Sequence, residues 1–236
     1  QATINVAEYQ GLICGLKYAI KIGSLAATSH IELIYVIESG GLFSKGKLTE
    51  KEATEQLKAD HIRIKETYGV DVKSTVMEGN IFHTISEHAA EIAADLVVMG
   101  THGIKGVQKL TGSWALKVIA GSSIPFLVVQ DQPNKTRVFE HVVMPLDFSF
   151  DDKSKLNWAI QVSVQYKSQI HIIIPNAFDA GVQKKVNYNL AFAKKHLESY
   201  NISYEIHSAG KTNSFPDEII KLAVDIEADL ILIMTT

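Results

Sequence analysis

The sequence has one cysteine, Cys14, so no disulfide can close within the chain and no metal site can be built from several thiolates. That cysteine lies in the apolar stretch LICGLKYAI, where it reads as core packing rather than as a reactive thiol. Charge of one sign is also lacking: 23 basic residues stand against 26 acidic ones, a formal net charge of −3. Such an even mixture provides no footprint for nucleic acid or for an anionic membrane surface. There is no run of about eighteen apolar residues and no secretory leader pattern, so a cytoplasmic protein is expected. No Ser-His-Asp or nucleophile-elbow pattern occurs. None of the 9 histidines is paired at a four-residue spacing, and His83 and His88 fall about 140° apart around a helix. Neither catalytic residues nor a metal site are expected.

What is present is enough apolar material, 46% of 236 residues, for one large domain or two of ordinary size. Apolar positions between Ile4 and Ile20 fall mostly at helical spacing, so a helix is expected first. Ile31 to Ile37 (IELIYVI) reads as a buried strand, and a charged helix follows from about Thr49 to Tyr68, stopped by Gly69. Asp71 to Met77 alternates as a strand, and Ile81, Ile85, Ala89 and Ile92 make one face of a helix. Leu96 to Met99 is a further strand, and Phe126 to Val129 closes the series. The polar stretch DQPNKT (131–136) contains one of only 5 prolines and makes the best linker.

After the linker the order restarts. His141–Pro145, Gln169–Ile174, Ser203–His207 and Asp229–Met234 read as strands. Asp151 to Tyr166, Val182 to Tyr200 and Phe215 to Ile226 read as helices. EIAADLVVMGT (91–101) matches DIEADLILIMT (225–235) at a constant offset, and Ser29 to Tyr35 matches Ser168 to Ile174. A tandem repeat of an α/β unit follows, and alternating strands and helices imply a parallel sheet covered on both faces.

The chemistry concentrates in GTHGIKGVQKLTGS (100–113), which follows the strand ending at Met99. Gly100, Gly103 and Gly112-Ser113 at a strand end and a helix start aim backbone N–H groups and a helix dipole at one point, an arrangement that suits a phosphate. The same glycines would also serve simply to turn the chain. The motif is neither a P-loop nor the dinucleotide GxGxxG. His102 reads as a solvated loop histidine, and Asp151-Asp152 as complementing a helix dipole.

With this loop, the strand-end Asp147 in PLDFS and the repeat together, the chain resembles the universal stress protein family in its tandem two-domain form. The family's nucleotide-binding pattern is matched in type by Gly100, Gly103, Gly112 and Ser113, with the loop one residue short. The resemblance implies two doubly wound, adenine nucleotide alpha-hydrolase-like domains, 1–130 and 137–236, packed as a pseudo-dimer, with Phe126 to Val129 meeting the closing strand of the second domain. It implies a non-enzymatic stress-response protein, without a required cofactor, that takes ATP or AMP. Val36 and Met99 would flank the base and sugar in the first domain, with Pro175 and Asp147 at the base in the second. Met234 and Thr235 replace Gly100 and Thr101, which points to the first domain as the better site. The comparison of the repeats also leads to the expectation that the first domain's opening strand, with its Asp, lies before Gln1, and that the second domain's last loop, helix and strand lie after Thr236. A further homodimer and unspecified protein partners are compatible with this reading. Its alternatives are a scaffold that has lost nucleotide and a slow ATP hydrolase.

Overall fold

The structure, a computed structural model, describes residues 2–5, 31–37, 49–69, 72–100, 119, 122–129, 139–148, 152–176, 179–210 and 213–234. The chain divides into two compact units, Gln1–Pro133 and Asn134–Thr236. In the first, strands β1 (Ala2–Asn5), β2 (Ile31–Ile37), β3 (Val72–Glu78), β4 (Leu96–Gly100) and β5 (Phe126–Val129) form one sheet in the order β3-β2-β1-β4-β5. Every pairing is parallel.

The expectation of an opening helix preceded by an unseen strand is corrected here. Ala2–Asn5 is itself the central strand, and residues 6–30, where the helix was expected, lie outside the described residues. Four residues carrying the polar Thr3 and Asn5 show no strand-like apolar run. They are held instead by two ladders, with Ala2 opposite both Ile31 and Leu96 and Asn5 opposite both Ile34 and Met99.

Helix α1 (Glu50–Tyr68) starts at a capping box: the Thr49 hydroxyl accepts from the Glu52 amide, and the Glu52 carboxylate accepts from the Thr49 amide at 2.8 Å. It ends at Gly69, whose φ of 67° is left-handed and cheap for glycine alone. Ala53, Leu57 and Ile64 line its buried stripe, and the helix touches β2 and β3. Helix α2 (Ile81–Glu91) covers one face of the sheet, packing Ile85 and Ala89 against Ile34, Val36 and Val97. Ile31 and Leu33 point to the opposite face by the two-residue period and are also buried, so both faces are covered.

In the second unit β6 (His141–Pro145), β7 (Gln169–Ile174), β8 (Tyr204–Ser208) and β9 (Leu230–Ile231) form a parallel sheet in the order β8-β7-β6-β9. Helices α3 (Asp152–Tyr166), α4 (Ala180–Ser199) and α5 (Phe215–Asp225) complete it. Phe215, Ile219 and Leu222 of α5 pack on Val143, Ile173 and Ala209. The last strand is shorter than the expected 229–234. β9 is held on one side by β6, and Ile233 and Met234 beyond it are 60% and 40% exposed.

The two units repeat one register. Val142 lies opposite Ile170 and Leu230 just as Ala2 lies opposite Ile31 and Leu96. The repeated Ala-Asp-Leu motif also builds one turn twice. Ala93 and Glu227 both take φ of 50°, and the amides of Ala94 and Ala228 each return to a carbonyl five residues back at 2.8 Å. Asp229, in the second of these turns, accepts from the backbone amides of Glu140 and His141 at 2.8 and 3.0 Å, which satisfies donors at the start of β6. Asp229→Ala should therefore lower stability by about 2 kcal/mol, and Asp229→Asn by less, as read from the urea midpoint.

Candidate functional site

In the first unit the chain runs outward from β1 through β2 to β3, then returns to the other side of β1 as β4 and β5. The order reverses between β1 and β4. In open parallel sheets the crevice outside the carboxyl ends of the strands at such a point is the natural place for a ligand, because the flanking loops diverge there. Gly100 is the last residue of β4, immediately beside this point, and it pairs with Val129 of β5. Met99 is 3% exposed and lies opposite Asn5, the last residue of β1. Val36, near the end of β2, is 8% exposed and belongs to the cluster under α2. The structure thus brings Val36, Met99 and Gly100 to the carboxyl edge of one sheet, with the first two serving the core. Gly103, Gly112 and Ser113, together with His102 and Trp114, lie outside the described residues.

Asp147 belongs to the second unit, two residues beyond β6 and partly buried, where its carbonyl accepts from Asn189 Nδ2 of α4 at 2.9 Å. Pro175 follows the end of β7. The shared register shows which residue of the first unit answers to Asp147. Asn5 answers to Pro145, so two positions further on stands Ala7, itself outside the described residues. The corresponding position is therefore within the sequence, and it carries no carboxylate. One unit has the strand-end glycine and the other the strand-end acid.

A model of the universal stress protein family matches residues 15–130. A curated relative, Universal stress protein MJ0531 of Methanocaldococcus jannaschii, is 34% identical over 129 residues, covering 50% of this chain and 74% of the relative. The chain belongs to the universal stress protein family. Its fold is similar to that of a universal stress protein from Archaeoglobus fulgidus, with a TM-score of 0.75 at 18% identity over 98% of this chain and 83% of that one. The functionally unknown protein PA1789 of Pseudomonas aeruginosa PAO1 gives a TM-score of 0.63 at 14% identity, over 97% and 80% of the two chains. Among the described residues, no helix is long and apolar enough to cross a membrane.

This universal stress protein also buries polar side chains near the amino ends of its strands. In the first unit Glu32 is 7% exposed on the α2 face of β2. One of its carboxylate oxygens receives the Thr75 hydroxyl at 2.5 Å, lies 3.0 Å from His88 Nε2 and 3.4 Å from Lys73 Nζ. Burial pushes the Glu32 carboxyl up, but the bonds from Thr75 and His88 and the charges of His88 and Lys73 outweigh it, and the group sits below its ordinary value.

In the second unit the same register positions hold His171 in place of Glu32, Glu205 in place of Lys73 and His207 in place of Thr75. His141 Nδ1 stands 3.1 Å from His171 Nε2, and His171 Nδ1 stands 3.2 Å from His207 Nε2. Helical spacing, the signal searched in the sequence, cannot reveal this grouping, because each histidine comes from a different strand. The signal that could have found it is a polar residue in an otherwise apolar strand, as in QIHIII (169–174), read against the neighbouring strand in register.

Glu32→Gln should cost about 1–3 kcal/mol near neutral pH, because it removes a charged acceptor from buried donors. A carboxylate lowered in the folded state stabilises above the unfolded value of 4.5 and loses that contribution as pH falls through the folded value. The gap between wild type and variant, followed by urea unfolding across pH, should therefore narrow below about pH 4.5.

Proposed function

We infer that this chain is a non-enzymatic, cytoplasmic stress-response protein whose first unit binds an adenine nucleotide, ATP or AMP, at the carboxyl edge of its sheet. The observation that carries the reading is the place of Gly100, the last residue of β4 beside the point where strand order reverses. A residue without a Cβ lets the backbone approach a phosphate closely. Gly103, Gly112 and Ser113 follow in sequence as the further donors, and the loop that carries them leads toward β5. Backbone amides and a helix dipole bind a phosphate but move no proton, so this set supports holding a nucleotide rather than hydrolysing it. The two units are read as a pseudo-dimer.

A second reading, a scaffold without nucleotide, is favoured by Ala7. A base-side carboxylate would add a charge-assisted hydrogen bond worth about 1.5–3 kcal/mol, and the first unit has none at that position. Titration calorimetry of the full chain with ATP, ADP and AMP, joined to a phosphate-release assay, separates these readings. The expected result is binding without turnover, weakened at least about tenfold by Gly100→Val or Gly112→Val and strengthened about tenfold or more by Ala7→Asp. Absence of heat or thermal shift at millimolar nucleotide would establish the scaffold, and steady phosphate release would establish the hydrolase.

A further inference from the structure

We propose that His171, His207 and Glu205 of the second unit bind one divalent ion of the zinc class, in a site separate from the nucleotide edge. Three donor atoms converge there. His171 Nδ1 and His207 Nε2 are 3.2 Å apart, His171 Nδ1 and Glu205 Oε2 are 3.6 Å apart, and His207 Nε2 and Glu205 Oε2 are 3.7 Å apart. A tetrahedral ion bonded at about 2.0–2.2 Å separates its ligand atoms by about 3.3–3.6 Å. The triangle therefore closes around such an ion with shifts of a few tenths of an ångström.

The residues behind the triangle orient it. Donation of the His171 Nε2 proton to His141 Nδ1, 3.1 Å away, leaves the Nδ1 lone pair facing the other two ligands. Gln169 Nε2 donates to Glu205 Oε1 at 2.7 Å, which occupies that oxygen and turns Oε2 toward the histidines. Zinc-type centres are characteristically supported by such outer bonds to each ligand. Burial draws the His171 imidazole below its ordinary value, against the pull of Glu205 and with His141 and His207 adding to it.

Exposure grades across the set, with side-chain values of 5% for His171, 28% for His207 and 55% for Glu205. One wall of the site is therefore dry and the other reaches solvent, which leaves a fourth position for water, as in open zinc centres with two histidines and a glutamate. Imidazole with carboxylate suits zinc, cobalt, nickel or copper rather than magnesium or calcium.

The first unit provides an internal contrast. There the same positions hold Glu32, Lys73 and Thr75, so the carboxylate already faces an ammonium and donors of its own. In the second unit the lysine is replaced by a glutamate and the hydroxyl by an imidazole, and a cluster that carried its own cation becomes a cluster of lone pairs. The ion takes the place of the proton that His207 Nε2 otherwise donates to His171 Nδ1, and His207 then binds the ion as the neutral tautomer protonated on Nδ1.

The test uses tag-free full chain, stripped with chelator and titrated with cobalt and then zinc. One cobalt per chain with the visible d–d absorption of a four-coordinate ion, bleached by one zinc, is expected. His207→Gln and Glu205→Gln alter partly exposed side chains and should each weaken zinc at least about tenfold, while far-UV circular dichroism and the metal-free urea midpoint stay near wild type. Gln169→Leu should weaken it about tenfold through loss of orientation alone. His83→Gln, in the other unit, should change nothing. Less than one ion per chain without the absorption band, or zinc binding that survives the double variant His207→Gln/Glu205→Gln, would overturn the proposal.

Discussion

A parallel strand cannot satisfy its backbone by folding back on itself, and the central strand of each unit depends on ladders from both sides. The four residues of β1 carry little apolar mass, and the register to β2 and β4 is what places them. Once that double ladder is set, the covering helices, the reversal of strand order and the two ends of the sheet all follow. The reversal falls between β1 and β4, beside Gly100, which ends its strand at the carboxyl edge. The amino end, under the helices, is where buried polar groups gather.

Comparison through the register shows one frame carrying two sets of chemistry. Successive positions Leu33 and Ile34 in β2, and Ile172 and Ile173 in β7, are all buried and fill both faces of the sheets. Immediately before each pair one buried position is polar, Glu32 in one unit and His171 in the other. A buried polar group is costly only when it lacks partners, and here they stand on the neighbouring strand, at the register position or two residues beyond it, with His88 of α2 added for Glu32. Lys73 and Thr75 answer Glu32, and Glu205 and His207 answer His171. Charge is thus balanced strand against strand, and each unit can change its polar cluster without disturbing its apolar layers.

The carboxyl edges have diverged in the same modular way. Gly100 in the first unit corresponds in sequence to Met234 in the second, and Ala7 stands, by count along the chain, where Asp147 stands in the second. Under the proposed function, each edge retains one side of the nucleotide-binding arrangement. A methionine side chain where the backbone must approach a phosphate is an obstruction, whereas an alanine where a carboxylate would accept a hydrogen bond is only a loss of affinity. That asymmetry is why the first unit is the stronger candidate.

Most of the architecture was legible in the residues alone. Ile31–Ile37, His141–Pro145 and Gln169–Ile174 stand at the bounds expected of them, and Gly69 stops the helix it was expected to stop. These features are local: an apolar run, a charged helical stretch, a glycine free to take positive φ. The family, too, was legible in the glycine loop and the repeat. What the residues alone did not determine was anything carried by register between strands far apart in sequence. The identity of Ala2–Asn5 as the central strand and the meeting of His141, His171 and His207 both depend on which residues lie side by side in a sheet. Tertiary pairing alone decides that, because a strand's partners are chosen by the whole sheet and leave no periodic trace in the strand itself.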